Sequence, residues 1–256
     1  TLAKYLDTTW LSQDILDRVT IRHLLTHTSG LGSYFNETFD RSSRALYRNV
    51  SDYKPLVVSE TLAFGPGTEQ RYSNTGFLIA GAVVEKTSDD DYFDYIRRHV
   101  TGPAGMTSTD CYQLDRVNEN LAVGYERLRG PGGTEYVNNI FAHVIRGGPA
   151  GGGYSTVADL LRFDQALRAG TLLKQDSLAA AWTPALARRS FSYGLGFFVE
   201  QTPAGRVVGH GGDFAGISAQ LRMYLDSGYT VAVLSNYDGA APLVEAKARE
   251  LITQGR

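Results

Sequence analysis

A single cysteine, Cys111, stands among 256 residues. It excludes an internal disulfide and any cysteine-rich zinc site, and leaves the compartment open, since many exported proteins carry no disulfide. Long apolar runs are lacking too: none approaches the roughly 20 residues that a membrane helix needs. No secretory leader opens the chain. The start, Thr1-Leu2-Ala3-Lys4-Tyr5-Leu6, reads like mid-protein sequence. A surplus of basic charge is absent, because 25 Lys and Arg stand against 27 Asp and Glu for a dispersed net charge of -2. Nucleic acid is therefore set aside as a partner. There is no internal repeat, no domain linker and no Gly-x-Ser-x-Gly, which argues against an α/β-hydrolase nucleophile elbow.

What is present is ordinary for a globular protein with a substantial core, 43% hydrophobic and 20% charged. The length fits one large domain or two lobes. Thr20 reads as the N-cap of a helix over Ile21 to His27, closed by Ser29-Gly30. Residues 31–63 are mixed, with an amphipathic piece from Tyr53 to Leu62. From Gly76, the run Phe77 to Glu85 is apolar on all sides and predicts a buried helix. Asp89-Asp90-Asp91 predicts the start of a second, with Arg97-Arg98-His99 at its end, matching the helix dipole. Residues 101–153 are loop-rich, and Gly147 to Gly153 marks backbone that turns sharply or approaches something closely. Thr156-x-x-Asp159 resembles a capping box for a helix from Leu160 to Leu167.

From 191 the period changes to two. Tyr193, Leu195, Phe197 and Val199 alternate, as do Ile217, Ala219, Leu221 and Met223, with Ser218, Gln220 and Arg222 on the opposite face. Arg206-Val207-Val208 predicts a short strand, and Asp226-Ser227-Gly228 a hairpin turn. Thr230 to Leu234 is nearly continuously apolar and predicts a central strand buried on both faces. Pro242 opens a last helix with Leu243, Val244, Leu251 and Ile252 on one side. The fold class is α+β, a mainly helical part over 1–188 followed over 189–256 by an antiparallel sheet backed by a C-terminal helix.

Two stretches carry candidate chemistry. Tyr72-Ser73-Asn74 offers a phenol and an amide where a loop becomes a helix; the competing reading is an Asn N-cap beside a buried Tyr. His210-Gly211-Gly212-Asp213 ends a short strand, where glycines let backbone N–H groups face a ligand as an oxyanion hole requires; the competing reading is a tight turn with an incidental His. His23 and His27 are spaced i, i+4 on a helix, but Leu24 stands where a metalloprotease would carry Glu and no third ligand is nearby, so packing or helix-end hydrogen bonding is the default. Ser51-Asp52-Tyr53-Lys54 matches Ser-x-x-Lys as a string. Lys54 precedes Pro55, which disfavours the α conformation, and the string is read as a decoy.

Several pieces together resemble the penicillin-recognising serine hydrolases, in particular the class C β-lactamase-like esterases and D-peptidases. They are Val19 to Leu31, Phe64-Gly65-Pro66-Gly67-Thr68, Tyr72-Ser73-Asn74, Gly102 to Met106, Pro149 to Thr156 and His210-Gly211-Gly212, in the family's order and over nearly the whole chain. The resemblance implies a β-lactamase/transpeptidase-like fold and acyl transfer through a serine ester, without a cofactor or metal. Its second motif, Tyr-x-Asn, falls on Tyr72 and Asn74. Its third, Lys-Thr-Gly or His-x-Gly, falls on His210 and Gly212. Tyr72 would shuttle the proton to the leaving group, its phenol lowered by neighbouring positive charge. Asn74 would orient the lysine and the substrate carbonyl or amide, and the Asp213 backbone N–H would supply half of the oxyanion hole.

The first motif, Ser-x-x-Lys, should lie some tens of residues before Thr1, and it is missing from this chain together with the first strands, which would pair beside 230–234. Two readings stay open: an enzyme acting on a small ester, amide or β-lactam and seen without its nucleophile, or a non-catalytic scaffold that binds a ligand or partner. A separate fragment adding the missing strands, or self-association at the sheet edge, is the third. Histidine in place of a permanently charged lysine favours esters or small D-amino-acid amides over β-lactams. The loops at 31–63 and 107–148 are expected to shape the pocket.

Overall fold

The computed structural model describes residues 1–130, 133–186 and 192–254. The fold is α+β, as the sequence predicts. Two compact units share the chain: Thr1–Gly102, Asp110–Val117 and Val144–Gly153 form the first, and Pro103–Thr109, Asn118–His143 and Tyr154–Arg256 the second. The expected change of character at 188–189 falls within 187–191, outside the described residues.

The first unit is helical: α1 (Gln13–Arg18), α2 (Ile21–Leu25), α3 (Glu37–Arg41), α4 (Lys54–Val57), α5 (Asn74–Ser88) and α6 (Tyr92–Ile96). Its core joins Leu11, Leu16, Leu24 and Leu31 to Tyr53, Val57, Leu78 and Ile79. Most helices here are short and owe their stability to this packing and to their caps rather than to length. Thr20 caps α2 as expected: its hydroxyl accepts the His23 N–H at 3.2 Å, and His23 Nδ1 accepts the Thr20 N–H at 3.2 Å. The helix stops at Leu25, however, and His27 lies beyond it at φ 56°. His23 and His27 therefore do not share a helical face.

Other local expectations are also revised. Lys54 is α-helical, φ -48° and ψ -47°, despite preceding Pro55, because it opens α4, where a proline at the second position displaces no intrahelical bond. The three aspartates split between two helices: Asp89 ends α5 at φ 56°, while Asp91 caps α6 by accepting the Phe93 and Asp94 N–H groups. The glycine run does turn sharply. Gly148 and Gly151 exchange backbone bonds of 2.8 and 3.0 Å, and Gly151 and Gly152 sit at φ 145° and 87°. Between them Pro149 packs on Gly81 of α5, where an added Cβ would lie 2.1 Å from the proline ring.

The second unit contains an antiparallel hairpin, β1 (Tyr125–Gly130) and β2 (Gly133–Asn138), inside the stretch read as loop. Its signal is Gly130-Pro131-Gly132-Gly133 between two β-prone pieces, hidden by the glycine-rich surroundings. Then come α7 (Val157–Arg168), α8 (Gln175–Ala181), β3 (Ser192–Tyr193), β4 (Phe198–Thr202), β5 (Gly205–Phe214), β6 (Ile217–Tyr224), β7 (Thr230–Ser235) and α9 (Ala240–Gln254). The sheet runs β3-β4-β5-β6-β7, antiparallel throughout. Met223 and Leu221 pack with Leu167 of α7 and Leu178 of α8. On the opposite face, Ser218 accepts the Ala241 N–H and the Tyr224 hydroxyl donates to Glu245, so this polar face lies under α9 rather than in solvent.

Five strand and helix expectations change. The alternation over 193–199 is two strands joined by a turn, in which the Gly194 N–H donates to the Phe197 carbonyl at 2.8 Å. The piece at 206–208 belongs to the ten-residue β5, so His210 to Asp213 lie within a strand rather than at its end. β7 is the last strand in the order among the described residues, not a central one; α7 and α9 both contact it, and Leu234 is 38% exposed. In α9 the buried residues are Ala241 and Glu245, whereas Leu243 (75%), Val244 and Leu251 are exposed. The capping box before α7 is half formed. Thr156 accepts the Asp159 N–H, but the Asp159 carboxylate is occupied by the Ser108 N–H, the Thr109 hydroxyl and Arg162.

Candidate active site

The Tyr-x-Asn stretch enters α5 from a loop held at several points. Ser73, not Asn74, is the N-cap. Its buried hydroxyl accepts the Gly76 N–H and donates to the Gly32 carbonyl, both at 2.8 Å. Asn74 is the first helical residue, and its Nδ2 donates to Ser33 Oγ at 3.2 Å, which turns Oδ1 to the other side of the amide as an acceptor. Glu60 ties the same loop to the helix, accepting the Gly32 N–H on one oxygen and the Thr75 hydroxyl on the other. The competing reading, an Asn cap with a buried Tyr, is thus set aside, since Tyr72 is 49% exposed.

Tyr72 is backed by His27, ring centroids 4.1 Å apart, and His27 is backed in turn by Phe77 at 5.0 Å. Burial of its packed side pushes the Tyr72 phenol up, so within this chain it is a protonated group at neutral pH. The lowering that the resemblance implies rests instead on a positive charge beside the phenol. A neutral phenol beside a fixed amide can donate a proton to a leaving group, but needs a cation near it to serve as a base.

The His-x-Gly stretch lies on β5. His210 faces Leu221, Gly211 faces Gln220, Gly212 faces Ala219 and Asp213 faces Ser218 across the β6 ladder. On its other edge β5 pairs with β4 only as far as Gly209. Past that point alternate N–H groups of β5 are released from the ladder, the arrangement that an oxyanion hole uses. At Gly211 an added Cβ would lie 2.6 Å from the end of the Gln220 side chain, which would have to move aside, while at Gly212 it would meet open space.

His210 lies close to the Gly211 carbonyl through Nδ1 (2.5 Å) and to the Tyr193 hydroxyl through Nε2 (3.0 Å). A carbonyl only accepts, so Nδ1 carries the proton and Nε2 accepts from Tyr193. Burial pushes the imidazole below its ordinary range; the Arg222 guanidinium adds to this, and the Gly211 carbonyl opposes it. Tyr193 and Phe198 box the ring, with centroids 5.7 and 4.7 Å away.

Tyr72 and Asn74 belong to the first unit; His210, Gly211, Gly212 and Asp213 belong to the second. Sequence reasoning missed Ser33, which holds Asn74, and Tyr193, whose hydroxyl bonds the far nitrogen of the His210 ring. Neither carries a local signal, because each acts through a contact distant in sequence. The string Ser51-Lys54 is engaged elsewhere: Lys54 Nζ donates to Thr9 Oγ1 at 3.1 Å and lies 4.9 Å over the Trp10 ring. Among the described residues no group of three or more His, Cys, Asp or Glu could hold a metal ion.

The family model described as beta-lactamase matches residues 1–254. A penicillin-binding protein of Bacillus subtilis is 32% identical over 96% of this chain and 58% of its own length. A D-aminopeptidase of Cereibacter sphaeroides is 29% identical over 87% of this chain and 43% of its own. Among solved structures, the penicillin-binding protein from Bacillus halodurans superposes with a TM-score of 0.89 at 28% identity, over 98% of this chain and 76% of that one. The chain spans roughly half the length of these curated relatives. On the family match and the fold together, the chain belongs to the beta-lactamase family.

Proposed function

We propose that these 256 residues are part of one serine-hydrolase domain that cleaves esters or small D-amino-acid amides through an acyl-enzyme, with the nucleophilic serine and its lysine supplied from outside residues 1–256. In this reading Tyr72 delivers the proton to the leaving group, Asn74 orients the lysine and the substrate carbonyl or amide, and the Asp213 N–H provides one oxyanion donor.

The observation that carries the reading is the contrast within Tyr72-Ser73-Asn74. Ser73 is wholly buried and spent on capping, while Tyr72, two residues before a buried helix, keeps half its surface open beside an amide locked by Ser33. A stretch serving only to cap a helix gains nothing from an exposed phenol. The neutral His210, with no permanent charge for a substrate carboxylate, supports uncharged esters and amides over β-lactams. The similar D-aminopeptidase supports the amide branch.

A second reading, a scaffold that binds without turnover, is favoured for residues 1–256 taken alone by the engagement of Lys54 with Thr9 and Trp10. Loss of a serine nucleophile in a comparable enzyme lowers kcat by about 10⁶. The test is hydrolysis of p-nitrophenyl esters, D-alanine p-nitroanilide and a chromogenic cephalosporin by the full-length gene product and its Tyr72→Phe variant. The expected result is ester and D-amide turnover ahead of the cephalosporin, with a loss of roughly 10²-fold or more in kcat for the variant. Undiminished activity in Tyr72→Phe removes Tyr72 from the mechanism, and a full-length product with no turnover leaves the scaffold reading.

A further inference from the structure

The helix that His27 was expected to share with His23 ends at Leu25, which leaves His27 just beyond it. Its contacts say more. The His27 carbonyl accepts the Arg71 N–H at 2.9 Å, and its ring Nδ1 accepts the Ser73 N–H at 3.1 Å. One residue thus grips the backbone on both sides of Tyr72. The same imidazole lies against the Tyr72 ring at 4.1 Å and is itself only 2% exposed. The flanking bonds run in the same sense: Gln70 Nε2 donates to the Thr26 carbonyl and the Gly67 N–H to the Thr28 carbonyl.

Two features show that this grip is built rather than incidental. His27 adopts φ 56°, a left-handed conformation uncommon outside glycine, which turns its carbonyl and its ring toward one segment. A buried nitrogen that accepts an N–H also carries no proton, so the ring behind Tyr72 is neutral and in its Nε2–H tautomer.

We infer that His27 is a positioning residue for Tyr72: it fixes the peptide on either side of the phenol and supplies the surface against which the ring rests. The inference rests on the reading that Tyr72 handles the proton in the hydrolytic reaction. It assigns His27 no contact with substrate.

The test uses His27→Phe, which keeps a ring and removes the acceptor, and His27→Asn, which keeps an acceptor near Nδ1 and tolerates the left-handed backbone. Amide hydrogen exchange on the 256-residue chain reads the grip directly. In His27→Phe the Ser73 N–H exchanges about tenfold faster or more, as expected for one lost hydrogen bond, while the Arg71 N–H, held by the backbone carbonyl, stays protected. In His27→Asn the Ser73 protection returns. In the full-length product, His27→Phe lowers kcat about tenfold with KM little changed, and adds nothing further in a Tyr72→Phe background, because the two residues act as one unit.

Unchanged Ser73 exchange in a folded His27→Phe, or fully additive losses in the double variant, overturns the inference. Should His27→Phe not fold, His27→Asn decides: retained Ser73 protection together with a reduced kcat from the lost ring supports it, and lost protection with unchanged kcat overturns it. A full-length product without turnover defeats the hydrolase reading alone, and the exchange measurement then judges the grip by itself.

Discussion

At the scale of single residues, Tyr72 and His210 are tuned in opposite directions by the same cause. Burial disfavours the charged form, so it pushes the phenol up and the imidazole down and leaves both neutral at pH 7. For His210 the consequence for stability has a definite sign. Its folded-state pKa lies below the unfolded one, so between the two values the unfolded chain binds more protons. Stability therefore rises with pH across that window, is fully present above about 6.5, and is lost as the pH falls below it. Urea denaturation of the chain and of His210→Gln at pH 7.5 and pH 5 should show the parent losing ground to the variant on acidification. A constant difference between the two would contradict the neutral, buried imidazole bonded to Tyr193 and Gly211.

At the scale of elements, α5 illustrates how a cap can also serve a site. Ser73 joins the helix N-terminus to the Gly32 carbonyl, and Ser33, one residue further on, holds Asn74. Ser73→Ala removes the cap bond and leaves the buried Gly76 N–H and the Gly32 carbonyl without it. The expected loss is about 1–2 kcal/mol by urea denaturation. A change within experimental error would mean that water replaces the hydroxyl. The cap was legible as a helix start, but which residue did the capping was not: serine and asparagine are both good N-caps, and the choice depends on where the Gly32 carbonyl lies. The β-elements show the opposite balance. Alternation located β6, yet it merged β3 with the approach to β4, and of the apolar residues that share a side of α9, Leu243, Val244 and Leu251 are exposed. Period alone does not report what covers a face.

At the scale of the molecule, β7 is the feature with consequences beyond the chain. Thr230 to Ser235 contain no charge and no proline, and β7 ends the strand order among the described residues. Such an edge offers unpaired backbone groups to another strand. The 256-residue chain should therefore self-associate with rising concentration in light scattering, and Leu234→Lys, which places a charge at the half-exposed end of the edge, should suppress this. A monomer mass at all concentrations would show that the edge is not adhesive. No described helix is long and apolar enough to cross a membrane.

The residues by themselves determined the fold class, the family resemblance, the caps at Thr20 and Thr156 and the two motif stretches. Each of these is written in local chemistry: short-range periodicity, capping side chains and runs of specific residues. Tertiary structure alone decided that Asn74 leans on Ser33, that Tyr193 bonds the far nitrogen of the His210 ring, that burial raises the Tyr72 phenol, and that His27 grips both sides of Tyr72. Those are contacts between segments 17 to 46 residues apart in sequence, and burial and hydrogen-bond partners at that range depend on how the chain packs, not on which neighbours a residue has along it.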